Sequence, residues 1–189
     1  MMLKGIRIPR ELKRLRRKDI KKLLRKYSAK LREEKELKER LEIIKKKPLP
    51  DNFYRGFSSP ECFTGFGYVG AGAFQFLPNT EEPRTDCFNE ASINWDDEPQ
   101  ALTTLLSQVN SRTGEKQFKY GYVRIPMSDL LPRVREHMRN GHFDFERRPL
   151  VSNIYHGNLL LHSSFKKAEL KTFQDGLAMI ANTYYRREE

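Results

Sequence analysis

Two hydrophobic patterns divide this chain. In the first 47 residues Leu12, Leu15, Leu23, Tyr27, Leu31, Leu37, Leu41 and Ile44 recur at spacings near three and four, which places them on one narrow stripe of an α-helix. No Gly or Pro falls between Pro9 and Pro48, and Lys, Arg, Glu and Leu all favour helix, so the stripe predicts one long helix. Glu34 with Lys38, Glu36 with Arg40 and Glu42 with Lys46 are favourably oriented i,i+4 pairs that give its second half local support.

After Pro48-Leu49-Pro50 the texture changes to short apolar runs punctuated by Gly and Pro, which predicts strands mixed with helices. Strands are expected over 53–57, 87–95, 117–125, 143–145, 151–154 and 159–161, with turns at 111–114 and 155–158. Acids ahead of Pro99 mark a helix start, and Leu102, Leu105, Leu106 and Val109 at i, i+3, i+4 and i+7 carry that helix over about 97–110. Ser128 with Asp129 is expected to cap a second helix that stops at Asn140-Gly141, and a third spans about 165–185. The predicted fold is α+β: a mixed or antiparallel sheet of about five to six strands with three helices, preceded by a long basic N-terminal helix. The expected division is a basic amphipathic arm over 1–47, a Pro-rich linker over 48–52 and an α+β globular domain over 53–189.

Charge sharpens that division. The 189 residues carry a formal +11, yet residues 1–47 hold 20 Lys and Arg against 7 Asp and Glu, while the rest hold 16 against 18. Between Arg10 and Arg32 there are 12 basic residues with only Glu11 and Asp19 to offset them, so a free helix there repels itself. An anionic partner relieves that repulsion. The expected nucleic-acid ligands are Arg14, Arg16, Arg17, Lys18, Lys21, Lys22, Arg25 and Lys26, each releasing counterions when set against a phosphate. Two other readings of the arm stand beside this one: an anionic membrane surface, weakened by a face that carries Leu and one Tyr but no Trp or Phe, and a solvated helix whose Leu stripe docks on a protein partner or on the body of the chain.

Composition excludes collagen-like, mucin-like and wholly disordered classes, because 12 Phe, 8 Tyr and 1 Trp predict a packed core. No apolar run reaches the roughly 18–20 residues a spanning helix needs, and the N-terminus lacks a secretory leader, so no membrane contact and a cytoplasmic location are expected. Cys62 and Cys87 stand apart and are read as free thiols, with no zinc cage and no metal ligand set.

Candidate chemistry lies in the second part. The segment 65–74 has four glycines but no Lys-Ser/Thr pair and no helix pattern after it, so it is read as a Gly-rich bend packed closely against another backbone and not as a phosphate loop. Phe118, Tyr120 and Tyr122 fall on one face of the predicted strand 117–125, either as base-stacking rings or as half of a core. His137 is read as a surface residue. His156, within the predicted turn Tyr155-His156-Gly157-Asn158, is the candidate acid–base group, with Glu90 or Glu146 and Arg147 converging on it if their strands adjoin; such a set moves a proton and holds a phosphate, as a metal-independent ribonuclease does.

Tyr54-Arg55-Gly56 in the first predicted strand resembles the opening of ADP-ribosyltransferase-like enzymes and their toxin relatives over those three residues. The resemblance implies that Arg55 holds a dinucleotide phosphate and that NAD is the cofactor; outside that alternative no cofactor is expected. The Glu-x-Glu pair that follows in that family has no counterpart after Arg55. The function expected first is a nucleic-acid-associated protein, RNA before DNA. The alternatives are a small enzyme, either ribonuclease or NAD-using transferase, and an assembly subunit docking through its N-terminal helix.

Overall fold

A computed structural model describes the backbone of residues 2–3, 6–7, 17–77 and 87–185, and the side chains of 21–77 (Leu24 apart) and 90–185. The chain divides into two compact units, Met1–Ile43 and Ile44–Glu189. It is α+β, with one five-stranded antiparallel sheet and four helices among the described residues.

The N-terminal unit opens with a small antiparallel ladder of β1 (Met2–Leu3) and β2 (Ile6–Arg7), which no periodicity signalled. The long helix α1 (Arg17–Lys45) follows. Its ion pairs run Lys30–Glu34 at 4.0 Å, Arg32–Glu36 at 3.7 Å and Lys35–Glu39 at 3.7 Å, instead of the Glu-first pairs expected. All three are well exposed and contribute little. Leu23, Tyr27 and Leu31 of the predicted stripe are exposed, while Leu12 and Leu15 lie outside the described residues.

In the second unit the strands are β3 (Asn52–Gly56), β4 (Cys87–Trp95), β5 (Tyr122–Pro126), β6 (Phe143–Arg147) and β7 (His156–His162), in the order β5-β3-β4-β7-β6. Alternation along each strand sends Phe53, Ile93, Trp95, Val123, Ile125, Phe143, Phe145, Leu159 and Leu161 to one face, where they join the main core. Helices α3 (Met127–Arg139) and α4 (Leu170–Tyr184) close that face with Leu130, Val134, Phe173, Leu177 and Ala181. A smaller cluster of Tyr54, Ala101, Leu105 and Tyr155, joined by Leu102, Phe118 and Ile154, lies under α2 (Gln100–Leu106) on the other face.

Several predicted elements shift. The strand expected over 117–125 begins only at Tyr122, because Gly121 at φ 94° turns the backbone and Tyr120 N–H donates to Phe57 O instead of continuing a ladder. Phe118 therefore joins the smaller cluster, while Tyr120 and Tyr122 stay exposed. Helix α2 stops at Leu106, and Val109 pairs with Lys116 across a loop. Ser128 donates to its neighbour Asp129 rather than capping α3, whose first turn follows Pro126. The strand expected over 151–154 is a turn closed by Leu150 and Asn153. His156 to Asn158, expected as a turn, open β7.

Tyr54 lies between that small cluster and Asp96; burial and the neighbouring carboxylate raise its phenol above the ordinary value of 10.0. A raised folded value means that this contribution is complete below that ordinary range and drains as pH climbs through the folded value. Tyr54→Phe is expected to flatten the alkaline fall in the unfolding midpoint; an unaltered fall would show that Tyr54 titrates as it does in the unfolded chain.

Candidate functional site

On β4 the polar residues Glu90, Ser92 and Asn94 alternate with apolar Ala91, Ile93 and Trp95, so the apolar set enters the core and the polar set lines the opposite face. The register sets Asn94 against His156, Ser92 against Asn158 and Glu90 against Leu160, with Glu146 of β6 opposite Asn158. His156, Glu90 and Glu146 thus share one face of three adjoining strands.

The contacts on that face differ from an acid–base pair. His156 Nδ1 lies 2.9 Å from Arg148 O, which orients the ring from the backbone. Glu90 sits four residues along the ladder from His156, about 13 Å, and there it takes hydrogen bonds from Asn158 Nδ2 at 3.1 Å and Arg148 NH1 at 3.3 Å. Asn94 and Asn158 are fully buried, and their Oδ1 atoms accept no hydrogen bond from the described residues.

Arg147 does not join this group. Register places it opposite Gly157 on the core side, where it pairs with both Asp97 oxygens at 2.6 Å, donates to the carbonyls of Lys47 and Pro48, and stacks over Trp95 at 5.8 Å. Arg148, the next residue, lies beside Glu90 in its stead. Arg147, the last residue of β6, and Arg148 just after it face opposite ways, and neighbouring residues alone do not decide which of the two faces Glu90.

Arg55 is likewise spent on the fold. Between β3 and β4 the ladder stops after Phe53↔Trp95 and Tyr54↔Asn94, and the Arg55 guanidinium enters the gap. It donates to the backbone carbonyls of Ala73 at 2.6 Å and of Ser92, and it lies over the Phe74 ring. Burial without a carboxylate lowers its pKa to about 10.

His137, read as a surface residue, is half-buried among the rings of Phe165 at 5.2 Å and Phe173 at 5.1 Å. Cys62 is a buried free thiol; the side chain of Cys87 lies outside the described residues. Among the described residues no His, Cys, Asp and Glu group has the makings of a metal site, and no helix is long and apolar enough to cross a membrane.

Of the arm's predicted ligands, Arg14 and Arg16 lie outside the described residues, and Arg17 and Lys18 are described by backbone alone. Lys21, Lys22, Arg25 and Lys26 stand on the first turns of α1, all exposed. At i, i+1, i+4 and i+5 they share one side of the helix. Among the described side chains, the ion pairs of α1 fall between Lys30 and Glu39, and none reaches these four.

No protein-family model, curated protein or solved structure matches the chain.

Proposed function

We propose that the protein binds nucleic acid, RNA in preference to DNA, through the basic side of the first turns of α1. The supporting observation is the asymmetry of that helix: its later turns carry Lys–Glu and Arg–Glu pairs, whereas Lys21, Lys22, Arg25 and Lys26 are exposed with no carboxylate partner among the described side chains. Like charges so close raise the energy of the free helix, and a phosphodiester backbone laid along them removes that repulsion while releasing condensed counterions. The preference for RNA draws support from exposed aromatic rings in the second unit, Phe66, Tyr68 and Tyr120. Such rings suit unpaired bases, which RNA loops and ends present.

The test is a salt titration of binding to a labelled RNA hairpin by the whole chain and by a variant with Lys21, Lys22, Arg25 and Lys26 all replaced by Gln. Each lost phosphate contact removes about one from the slope of log K against log salt. The variant is expected to lose three to four from that slope, roughly one per cation removed, and about a hundred-fold or more in affinity at moderate salt. Equal affinity and equal slope in the two proteins would overturn the proposal.

A further inference from the structure

The loop after β3 is built as a rigid presentation device. Phe63 and Val69 form a bridge, and Thr64 N–H donates to Tyr68 O at 2.7 Å and Gly67 N–H to Thr64 O at 2.9 Å. Gly67 sits at φ 81°, a conformation that favours glycine, so the turn is tight. Asn182 of α4 then clamps the hairpin: its Oδ1 accepts from Val69 N–H and its Nδ2 donates to Val69 O, each at 2.8 Å. Gly70 N–H closes the base on Cys62 O at 2.8 Å. The hairpin held in this way carries Phe66 at its tip, 88% exposed, with Tyr68 64% exposed beside it.

Beside that tip runs a groove of about 440 Å³, with Phe63, Thr64, Gly65, Phe66, Tyr120 and Tyr185 in its walls. Its floor is stiff, because Phe57, Phe63 and Tyr185 pack ring on ring at 5.1 to 5.5 Å. The volume suits one small planar ligand and is too small for a partner helix. Thr64 and the tyrosines add hydroxyls to the aromatic walls, so flat faces and hydrogen-bonding edges are offered together.

The loop leading into Tyr120 supplies the matching charge. It carries Arg112, Lys116 and Lys119, all exposed, against the single carboxylate Glu115, which pairs with Lys119 at 3.2 Å. The Lys119 ammonium lies 5.8 Å over the Tyr120 ring. Because Tyr120 lines the groove, Lys119 is the cation placed to meet a phosphate flanking a base stacked there.

We infer that this groove takes one unpaired nucleobase of single-stranded RNA, stacked on Phe66 and the Phe63–Tyr185 floor. The inference rests on the RNA-binding reading for its biological ligand, but it concerns a different surface and has its own readout. Adenosine, an uncharged probe that the cations of α1 have no electrostatic reason to hold, isolates the groove from the arm.

The experiment uses the whole chain, Phe66→Ala and Phe66→Trp. Phe66 is exposed, so neither substitution disturbs packing. Adenosine at millimolar concentration is expected to shift the ring resonances of Phe63, Phe66 and Tyr185 in the wild type and in Phe66→Trp, where position 66 keeps a ring, and not in Phe66→Ala. Affinity for a single-stranded oligoadenylate is expected to fall about 5- to 100-fold in Phe66→Ala, the worth of one stacked base. Affinity for an RNA duplex, whose bases are already stacked, is expected to hold. Unshifted wild-type rings, an unaltered oligoadenylate affinity, or equal losses for oligoadenylate and duplex would each overturn the inference. Saturation of the groove by an apolar peptide with no response to adenosine would assign it to a protein partner and overturn it as well. Neutralising the four α1 cations must leave the adenosine shifts in place, so failure of the arm's role and failure of the groove's role read out separately.

Discussion

Arg147→Ala is expected to lower the stability of the second unit by about 3–5 kcal/mol, the usual cost of removing one member of a buried ion pair. The side chains of Arg147 and Asp97 are 3% and 13% exposed, and the guanidinium meets both carboxylate oxygens at 2.6 Å. The same guanidinium serves the carbonyls of Lys47 and Pro48, so its loss leaves a carboxylate and backbone acceptors without their donor. It ties the segment entering β3 to the end of β6, with the Trp95 ring beneath it. Asp97→Ala is expected to cost a comparable amount by stranding the cation. Arg147→Met with Asp97→Leu is expected to cost less than the two single losses summed, because neither charge is then left buried alone. Urea unfolding of the four proteins measures these losses; a loss below about 1 kcal/mol for Arg147→Ala would mean that the pair behaves as a solvent-screened surface bridge.

Gly157→Ala is the second large effect. Gly157 sits inside β7, and the Trp95 indole crosses over it to donate from Nε1 to Glu146 O at 3.2 Å on the neighbouring strand. A Cβ built at 157 lands on the indole nitrogen and 2.6 Å from the Glu146 carbonyl. Trp95 and Glu146 O belong to the strands on either side, so relief requires either that β6 and β7 part or that the indole withdraw. Overpacking costs about 1–3 kcal/mol, and losing the buried indole hydrogen bond adds about 1–3 kcal/mol. The expected loss is therefore about 2–6 kcal/mol, read by thermal or urea unfolding with Trp95, the single tryptophan, as the fluorescent reporter. A variant that unfolds at the wild-type midpoint with unchanged emission would refute the crossing.

Both effects sit where sequence reasoning placed chemistry. Arg147 was a phosphate ligand on paper and is an internal brace, whereas Arg148 is the arginine on the Glu90 face. Gly157 was half of a turn around a catalytic His156 and is the gap through which Trp95 reaches β6. The local signals were sound: Glu-Arg-Arg is polar, and His-Gly-Asn favours turns. Both were overruled by strand pairing that runs the length of β7, a long-range term that no local window contains.

What the amino-acid sequence determines on its own are the properties that a run of neighbours fixes. The 3.6-residue stripe and the absence of breakers specify α1, and the crowding of Lys and Arg ahead of Arg32 specifies where charge is left unbalanced. The alternation of Glu90, Ser92 and Asn94 with Ala91, Ile93 and Trp95 is also written in the chain. The tertiary structure alone decides which strands adjoin, and in what register. That choice sends Arg147 inward, separates Glu90 from His156 by four residues of ladder, and stands Phe66 beside Tyr120 and Tyr185, far apart in the chain. The physical reason is that one step of register reverses every side chain on a strand, and what favours one register over the next is the burial of all its partners at once.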